Sequence, residues 1–414
     1  MAEHLQQLGS AGFRTRKSRL GLLKQGTAGW NAWRAAHRKL RPRLHEADLI
    51  GADLRGANLR ETGFCEAHLS EANLEAADLT RTDFRRAHLR GARLHRSRLY
   101  QADLSRAELR ETDLRRADLR EADLREADLR EADARGADLR KADLRGANLI
   151  GARLERADLR EARLALADLT LARLGDADLG GADLSGCRLV ETDLRKANLS
   201  GCRVFRAAVW TAHLQGASQT DLVITRAGEP VIAVDDLGMA QCVAMLLDNR
   251  TLRTAVSLTV MNAVLVAGCF APDRRNVSDA IRRELRRRAY LPILFDPASS
   301  PAQSWRDLLS TLARLSRFTI ADLTPPGGIL KASLAIAPAR GIRVQPIRHR
   351  SAGSVGAFRR PARSPWVLRT HEYSDVDHLT RSLYRQVIRP AEALARNRKS
   401  PGTGTRTMQG GSRT

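Results

Sequence analysis

The chain has 414 residues, enough for two or three domains that each bury a core, and a net charge of +23. Residues 1–45 carry +9, residues 46–215 carry −1 and residues 216–414 carry +15, so a polyanionic partner would belong to the flanks and not to the middle. Five cysteines without a CxxC pair or a His/Cys cluster at ligand spacing argue against a zinc module, and the N-terminal residues lack the apolar run of a secretory leader.

Only 7 of the 70 cationic residues are lysine. Arginine-rich codon usage therefore accounts for the basic flanks as well as a nucleic-acid partner does. The expectation is weak, non-specific nucleic-acid binding, in the range of roughly 10⁻⁴ to 10⁻⁶ M at physiological salt.

In chain order, "LLKQGTAGWNAWRAAHRKLRPRL" comes first, with Leu22, Leu23, Trp30 and Trp33 in a short amphipathic pattern. It reads as a helical segment whose tryptophans plug a core. From Leu49 to Leu214 Leu, or in a few units Phe, Ala or Val, recurs every five positions through 34 units without insertion. Two residues before it stands Ala, or Thr62, Thr82, Thr112, Thr192, Ser97, Cys187 or Cys202 as a small substitute; between the two is usually Asp or Asn. One small and one large residue two apart share a strand face. The other positions point outward, and a turn every five residues lets stacked coils bury one column.

This A(D/N)Lxx pattern resembles the pentapeptide-repeat family. The resemblance implies a β-solenoid: a right-handed, four-sided β-helix of four units per coil. At about 4.8 Å per coil the rod would be on the order of 40 Å long. The leader resembles the segment that caps the open first coil in such proteins. Some members are gyrase-directed proteins with acidic, DNA-like rods. Here Arg85, Arg90, Arg110, Arg115, Arg120, Arg125, Arg130, Arg135, Arg140 and Arg145 alternate with Asp and Glu, a mixed lattice that disfavours both DNA mimicry and DNA binding by the rod.

Beyond Ala217 the pattern dissolves. An extended segment and a helix over 236–249 lead to "NAVLVAG" as a buried strand. The stretch Thr254–Ala271 is apolar but carries Asn262, two Thr and a Ser, and reads as a helix end plus a strand instead of a membrane span. Then come the helix "SDAIRRELRRRA", the strand "YLPILFD", the helix "SWRDLLSTLARLS", the strand "RFTIADL", the helix "ILKASLAIA", the strand "IRVQPI" and a closing helix "VDHLTRSLYRQVIRPAEALARN". Alternating strands and helices predict a parallel, helix-covered sheet. "FAPDRRNVSDAIRRELRRRAYLPILFD" with "LARLSRFTIADLT" resembles the TIR-like domain fused behind pentapeptide repeats in bacteria, which implies a flavodoxin/TIR-like α/β fold. The expected organisation is a basic leader and cap over 1–45, the β-helix over 46–216, the α/β domain over 217–397, and a disordered Gly/Ser/Thr-rich tail over 398–414.

In such a sheet ligands bind beyond the carboxyl ends of the strands, here Gly268–Phe270, Asp296, Asp322–Thr324 and Gln345–Pro346. Candidate nucleotide-binding residues are Asp296, Asp322 and Thr324, with Gly327, Gly328 and Lys331 of "PPGGILKAS" as a phosphate-holding turn. NAD-hydrolysing relatives use a Glu in the following helix, whereas this chain has Ala332 or Ser333 there and no acidic residue from Leu323 through His371. Glu284, His349 and His371 read as surface residues. No catalytic residue, metal or resident cofactor is expected.

The reading is a cytoplasmic, non-catalytic scaffold. Its rod would bind protein partners, and a degenerate TIR-like sensor or adaptor, with a nucleotide as possible ligand, would act in bacterial stress or defence signalling. Self-association is compatible with the sequence. The alternatives are a TIR-like NAD or nucleotide N-glycosidase and a gyrase-interacting antibiotic-resistance protein.

Overall fold

A five-residue unit holding one small and one large inward residue leaves room for a single paired residue per side, and the backbone shows this. The computed structural model describes residues 15–248, 262–268, 274–296, 305–324, 343–351 and 366–396. They fall in two compact units, Met1–Ala255 and Val256–Thr414.

The first unit is a solenoid. Parallel bridges join residue n to n+20, as in Asp103↔Asp123 and Asp123↔Asp143, from Arg43 to Val223. Twenty residues per coil means four five-residue units per coil. The ladder thus starts one unit before the repeat becomes legible at Leu49, and it runs past Leu214. Within the repeat itself longer strands form at β1 (Arg188–Val190) and β2 (Ala208–Trp210), which pair in parallel.

The unit around Leu124 shows the local logic. Leu124 N donates to Asp143 O (2.7 Å) and Asp123 N to Ala102 O (2.9 Å), so each coil is held from both sides. Ala127 N donates to Leu124 O, closing a turn whose third residue, Glu126, has φ 57°. Every fifth residue from Glu46 to Asp221 is left-handed in this way, with side chains such as Glu121 and Arg106 at most sites and glycine at others such as Gly146. A side chain there costs about 1–2 kcal/mol, which the ladder bonds and buried column offset. The Asp or Asn at the bridge position braces the adjoining turn. Asp123 Oδ1 accepts from Arg125 N (3.1 Å), and Asn148 Oδ1 from Ile150 N (3.2 Å), Asx-type bonds that Asp and Asn make better than other side chains.

The column inside is largely apolar. The inward Ala and Leu residues are buried from Leu54 to Ala207, with Ala52, Ala212 and Leu214 half-buried towards the ends, and Phe64 stacks on Phe84 at 5.5 Å. Among the polar substitutes at the small position, Ser97 donates to Leu94 O and Thr62 to Arg60 O, whereas the Thr82, Thr112 and Thr192 hydroxyls donate to the carbonyls of Leu59, Leu89 and Leu169, each 23 residues earlier. Cys187 and Cys202 donate the same way to Leu164 and Leu179. Both thiols are fully buried, and burial pushes that of Cys202 up to about 12.

Two helices, α1 (Arg16–Lys24) and α2 (Thr27–Ala36), close the first coil. Trp30 is wholly buried and its Nε1 donates to Asn58 O (2.8 Å). Asn31 donates to Gly56 O and accepts from Asn58 N, and Arg34 donates to Arg60 O. These side chains satisfy backbone groups that an earlier coil would otherwise pair. At the other end β3 (Leu222–Val223) and β4 (Val231–Val234) form an antiparallel pair, followed by α3 (Leu237–Asp248), which packs on β2, β3 and β4.

The second unit holds β5 (Ala263–Ala267), α4 (Arg275–Arg286), β6 (Leu291–Asp296), α5 (Trp305–Leu315), β7 (Phe318–Asp322), β8 (Val344–His349) and β9 (His371–Tyr373). A closing helix runs as α6 (Val376–Ser382), a π-helical turn Leu383–Ile388 and α7 (Arg389–Arg396). Pro390 cannot donate to the preceding turn, which accounts for the wider winding before it. The five strands are parallel in the order β6-β5-β7-β8-β9, and β5 and β7 are buried at every residue. Strand β9 follows no apolar run in the sequence. Among the described residues no helix is long and apolar enough to cross a membrane.

Candidate functional site

The strand order places β6 on one side of β5 and β7 on the other, so consecutive connections leave in opposite directions. A crevice at the carboxyl ends of β5 and β7 is the expected result, and it is where such sheets bind ligands. Polar side chains converge there. Asp322 ends β7 and is 6% exposed. Arg274, at the N-terminal boundary of α4, donates from Nη2 to Asp322 Oδ2 and to Tyr373 Oη at the end of β9, both at 2.7 Å. Thr324 donates from its hydroxyl (2.5 Å) and its backbone N–H (3.0 Å) to Asp322 Oδ1. His349 N donates to Thr324 Oγ1 (2.9 Å), and the His349 ring meets Tyr373 edge-on at 5.3 Å.

Chemically this is a closed charge pair with a rim of hydroxyls. Arg274 holds one oxygen of Asp322 and Thr324 the other, so the carboxylate is paired and hydrogen-bonded on both sides. Burial, and then the nearby Asp322 charge, hold the Tyr373 hydroxyl above its ordinary range, so it stays a neutral hydrogen-bonding group. Arg274 Nε is buried without a hydrogen-bond partner among the described residues.

Of the residues the sequence nominated, Asp322 and Thr324 lie in this cluster. Asp296 ends β6, with β5 between it and β7. Gly327, Gly328 and Lys331 lie outside the described residues. Neither Arg274 nor Tyr373 stands out in the sequence, since a lone Arg before a helix and a Tyr in a short polar strand carry no periodic signal. Glu284 and His371, expected at the surface, are buried instead. Glu284 is 8% exposed and held by Arg288 at 2.9 Å on the third turn of α4. His371 is likewise buried, with Nε2 2.9 Å from Ser382 Oγ, and burial lowers its proton affinity. No group of three or more His, Cys, Asp or Glu side chains suited to a metal ion occurs among the described residues.

On the rod, the outward Arg and Asp of one unit bind each other. In the units of Arg115, Arg120, Arg125, Arg130, Arg135, Arg140 and Arg145, Nε and Nη2 reach the two oxygens of the Asp two residues earlier, as with Arg135 and Asp133 at 2.8 and 2.6 Å. Arg90 and Arg110 follow His88 and Glu108 instead of an Asp; Arg90 pairs with Glu111 in the next coil.

The family described as pentapeptide repeats matches the chain with eight copies, at residues 43–81, 67–106, 107–146, 137–176 and 172–207. Among solved structures, HetL, a pentapeptide repeat protein involved in heterocyst differentiation regulation from the cyanobacterium Nostoc sp. strain PCC 7120, is 32% identical. That similarity covers 47% of this chain and 98% of HetL, with a TM-score of 0.28. A pentapeptide repeat protein from the Arabidopsis thaliana thylakoid lumen is 31% identical over 25% of this chain and 68% of its own, with a TM-score of 0.15. Full-length QnrB1, a plasmid-mediated fluoroquinolone resistance protein, is 21% identical over 43% of this chain and 92% of its own, with a TM-score of 0.19. No curated protein sequence matches at a significant level. The fold defines a pentapeptide β-solenoid, and the chain belongs to the pentapeptide-repeat family.

Proposed function

We propose that the protein is a non-catalytic, cytoplasmic interaction scaffold. Its rod presents a neutral surface to protein partners, and the α/β domain expected over 217–397 acts as a TIR-like sensor or adaptor in bacterial stress or defence signalling. The observation that carries this reading is the capture of Asp322 by Arg274 and Thr324. Asp322 is the carboxylate at the carboxyl end of β7, and a guanidinium already pairs with it. The sequence that follows, from Leu323 through His371, carries no Glu that could stabilise positive charge at a ribose carbon. The strand order β6-β5-β7-β8-β9 supports the flavodoxin/TIR-like assignment, and the guanidinium and hydroxyls of the crevice suit a polar or anionic ligand such as a nucleotide.

The rod supports the same reading. Its Asp–Arg pairs close within single units, so it offers neither the sustained negative surface of a DNA-like rod nor the cation surplus that nucleic acid requires.

The test is turnover by the full-length protein. Incubation with NAD or nucleosides should give no hydrolysis above buffer, and calorimetry should detect nucleotide binding that Arg274→Ala weakens. Hydrolysis that Asp322→Asn abolishes would make the protein an N-glycosidase.

A further inference from the structure

One face of the rod departs from the Arg–Asp pattern near its C-terminal end, and its two edges turn apolar together. Along one edge the coils stack Arg130, Ile150, Thr170, Val190 and Trp210, tied by Glu131 N to Ile150 O (3.0 Å), Gly151 N to Thr170 O (3.0 Å), Leu171 N to Val190 O (2.9 Å) and Glu191 N to Trp210 O (2.9 Å). On the other edge Glu126, Gly146, Leu166, Gly186 and Arg206 follow in successive coils. Leu166 lies over Gly186, where a Cβ would come within 2.8 Å of its Cδ2. Leu166 is 74% exposed, Leu171 52% and Trp210 55%.

Folding does not explain these leucines. Both sit at left-handed turn positions (φ 64° and 60°) that disfavour any side chain, and both point into water. The geometry points to a docking surface for a second copy of this chain, packed antiparallel across this face. This inference does not depend on the reading of the α/β domain.

Self-complementarity carries the argument. A two-fold axis lying in the face, across the rod at the coil of Leu166 and Leu171, exchanges each coil above it with the one equally far below. Leu166 then meets Leu166 of the second copy and Leu171 meets Leu171. Ile150 faces Val190, Arg130, paired with Asp128 of its own unit, faces the Trp210 ring, and Glu126, held at 2.9 Å by Arg106 of its own chain, faces Arg206. The axis also sets two Asp168 carboxylates opposite each other, each with Arg188 of its own chain at 3.5 Å. A parallel pairing would keep Leu166 against Leu171 but set Glu126 against Glu131, so charge selects the antiparallel arrangement. Five coils span roughly 20 Å at the inter-strand spacing. The contact lies at the small end of specific interfaces, which corresponds to a reversible dimer.

Sedimentation velocity of the full-length protein, from about 1 to 100 μM at physiological salt, tests this on a scale set by affinity arithmetic. The expected result is a concentration-dependent dimer that Leu166→Glu with Leu171→Glu abolishes, while the thermal midpoint is kept. Glu126→Arg and Arg206→Glu, each alone, should weaken association about tenfold or more. The double charge reversal, or a mixture of the two single variants, should restore it. A wild-type protein that stays monomeric throughout overturns the proposal. So does a dimer indifferent to the leucine changes, or a double reversal no better than either single one.

Discussion

The guanidinium of Arg120 lies against the carboxylate of Asp118, with Nε 2.7 Å from Oδ1 and Nη2 2.7 Å from Oδ2. The contact recurs coil after coil and turns an outer surface crowded with charge into a set of closed pairs. Individually such exposed pairs contribute little. Their shared geometry nevertheless gives the rod a common response to acid.

The Arg120 hydrogen bond, as the largest effect, holds the Asp118 carboxyl below its ordinary range, and Asp128 and Asp158 are held the same way by Arg130 and Arg160. A depressed folded-state pKa means that the unfolded chain takes up protons first as pH falls. The stabilisation is complete above the unfolded value of about 3.9 and is lost as pH drops through the folded values. Thermal midpoints followed from pH 7 to pH 2 should therefore be level down to about pH 5 and fall below about pH 4. A midpoint that rises on acidification contradicts this.

Leu139 is 3% exposed at the centre of the column, whereas Arg140 beside it faces outward against Asp138. Leu139→Arg places an unpaired charge in the column and should cost several kcal/mol, about 3 or more, by chemical denaturation. Arg140→Ala should leave the unfolding midpoint nearly where it was, and equal damage from both would show the inward and outward assignment to be reversed.

The N-terminal cap can be tested at one side chain. Asn31 donates to Gly56 O and accepts from Asn58 N, at 3.0 and 2.7 Å. Asn31→Ala leaves both backbone groups without those partners and should destabilise the first coil by about 1–3 kcal/mol. Hydrogen exchange should locate the loss at residues 56–60, with the middle coils unchanged.

Arg274 and Asp322 have side chains only 18% and 8% exposed. Arg274→Ala strips the partner from a buried carboxylate and should cost roughly 3 kcal/mol in the second unit. Arg274→Leu combined with Asp322→Asn removes both charges and should recover most of that loss. A double variant as unstable as Arg274→Ala would show that the pair does more than neutralise charge.

The period of five, with its small and large residues two apart, already determined a stacked β-helix, because only a coil that turns every five residues buries that pattern continuously. The roles of Thr82 and Cys187 as small core residues were legible for the same reason, and β5 and β7 were legible as short runs rich in apolar and β-branched residues between turn signals. The sequence could not show that Glu126 and its counterparts are left-handed, because the turn imposes that conformation on almost any residue. Nor could it show that Asn31 caps the first coil, that Glu284 and His371 are buried, or that Arg274, Asp322 and Tyr373 meet across as many as 99 residues. Those contacts depend on which strand ends the sheet brings together, and the order of strands in space is settled by packing and not by any local pattern.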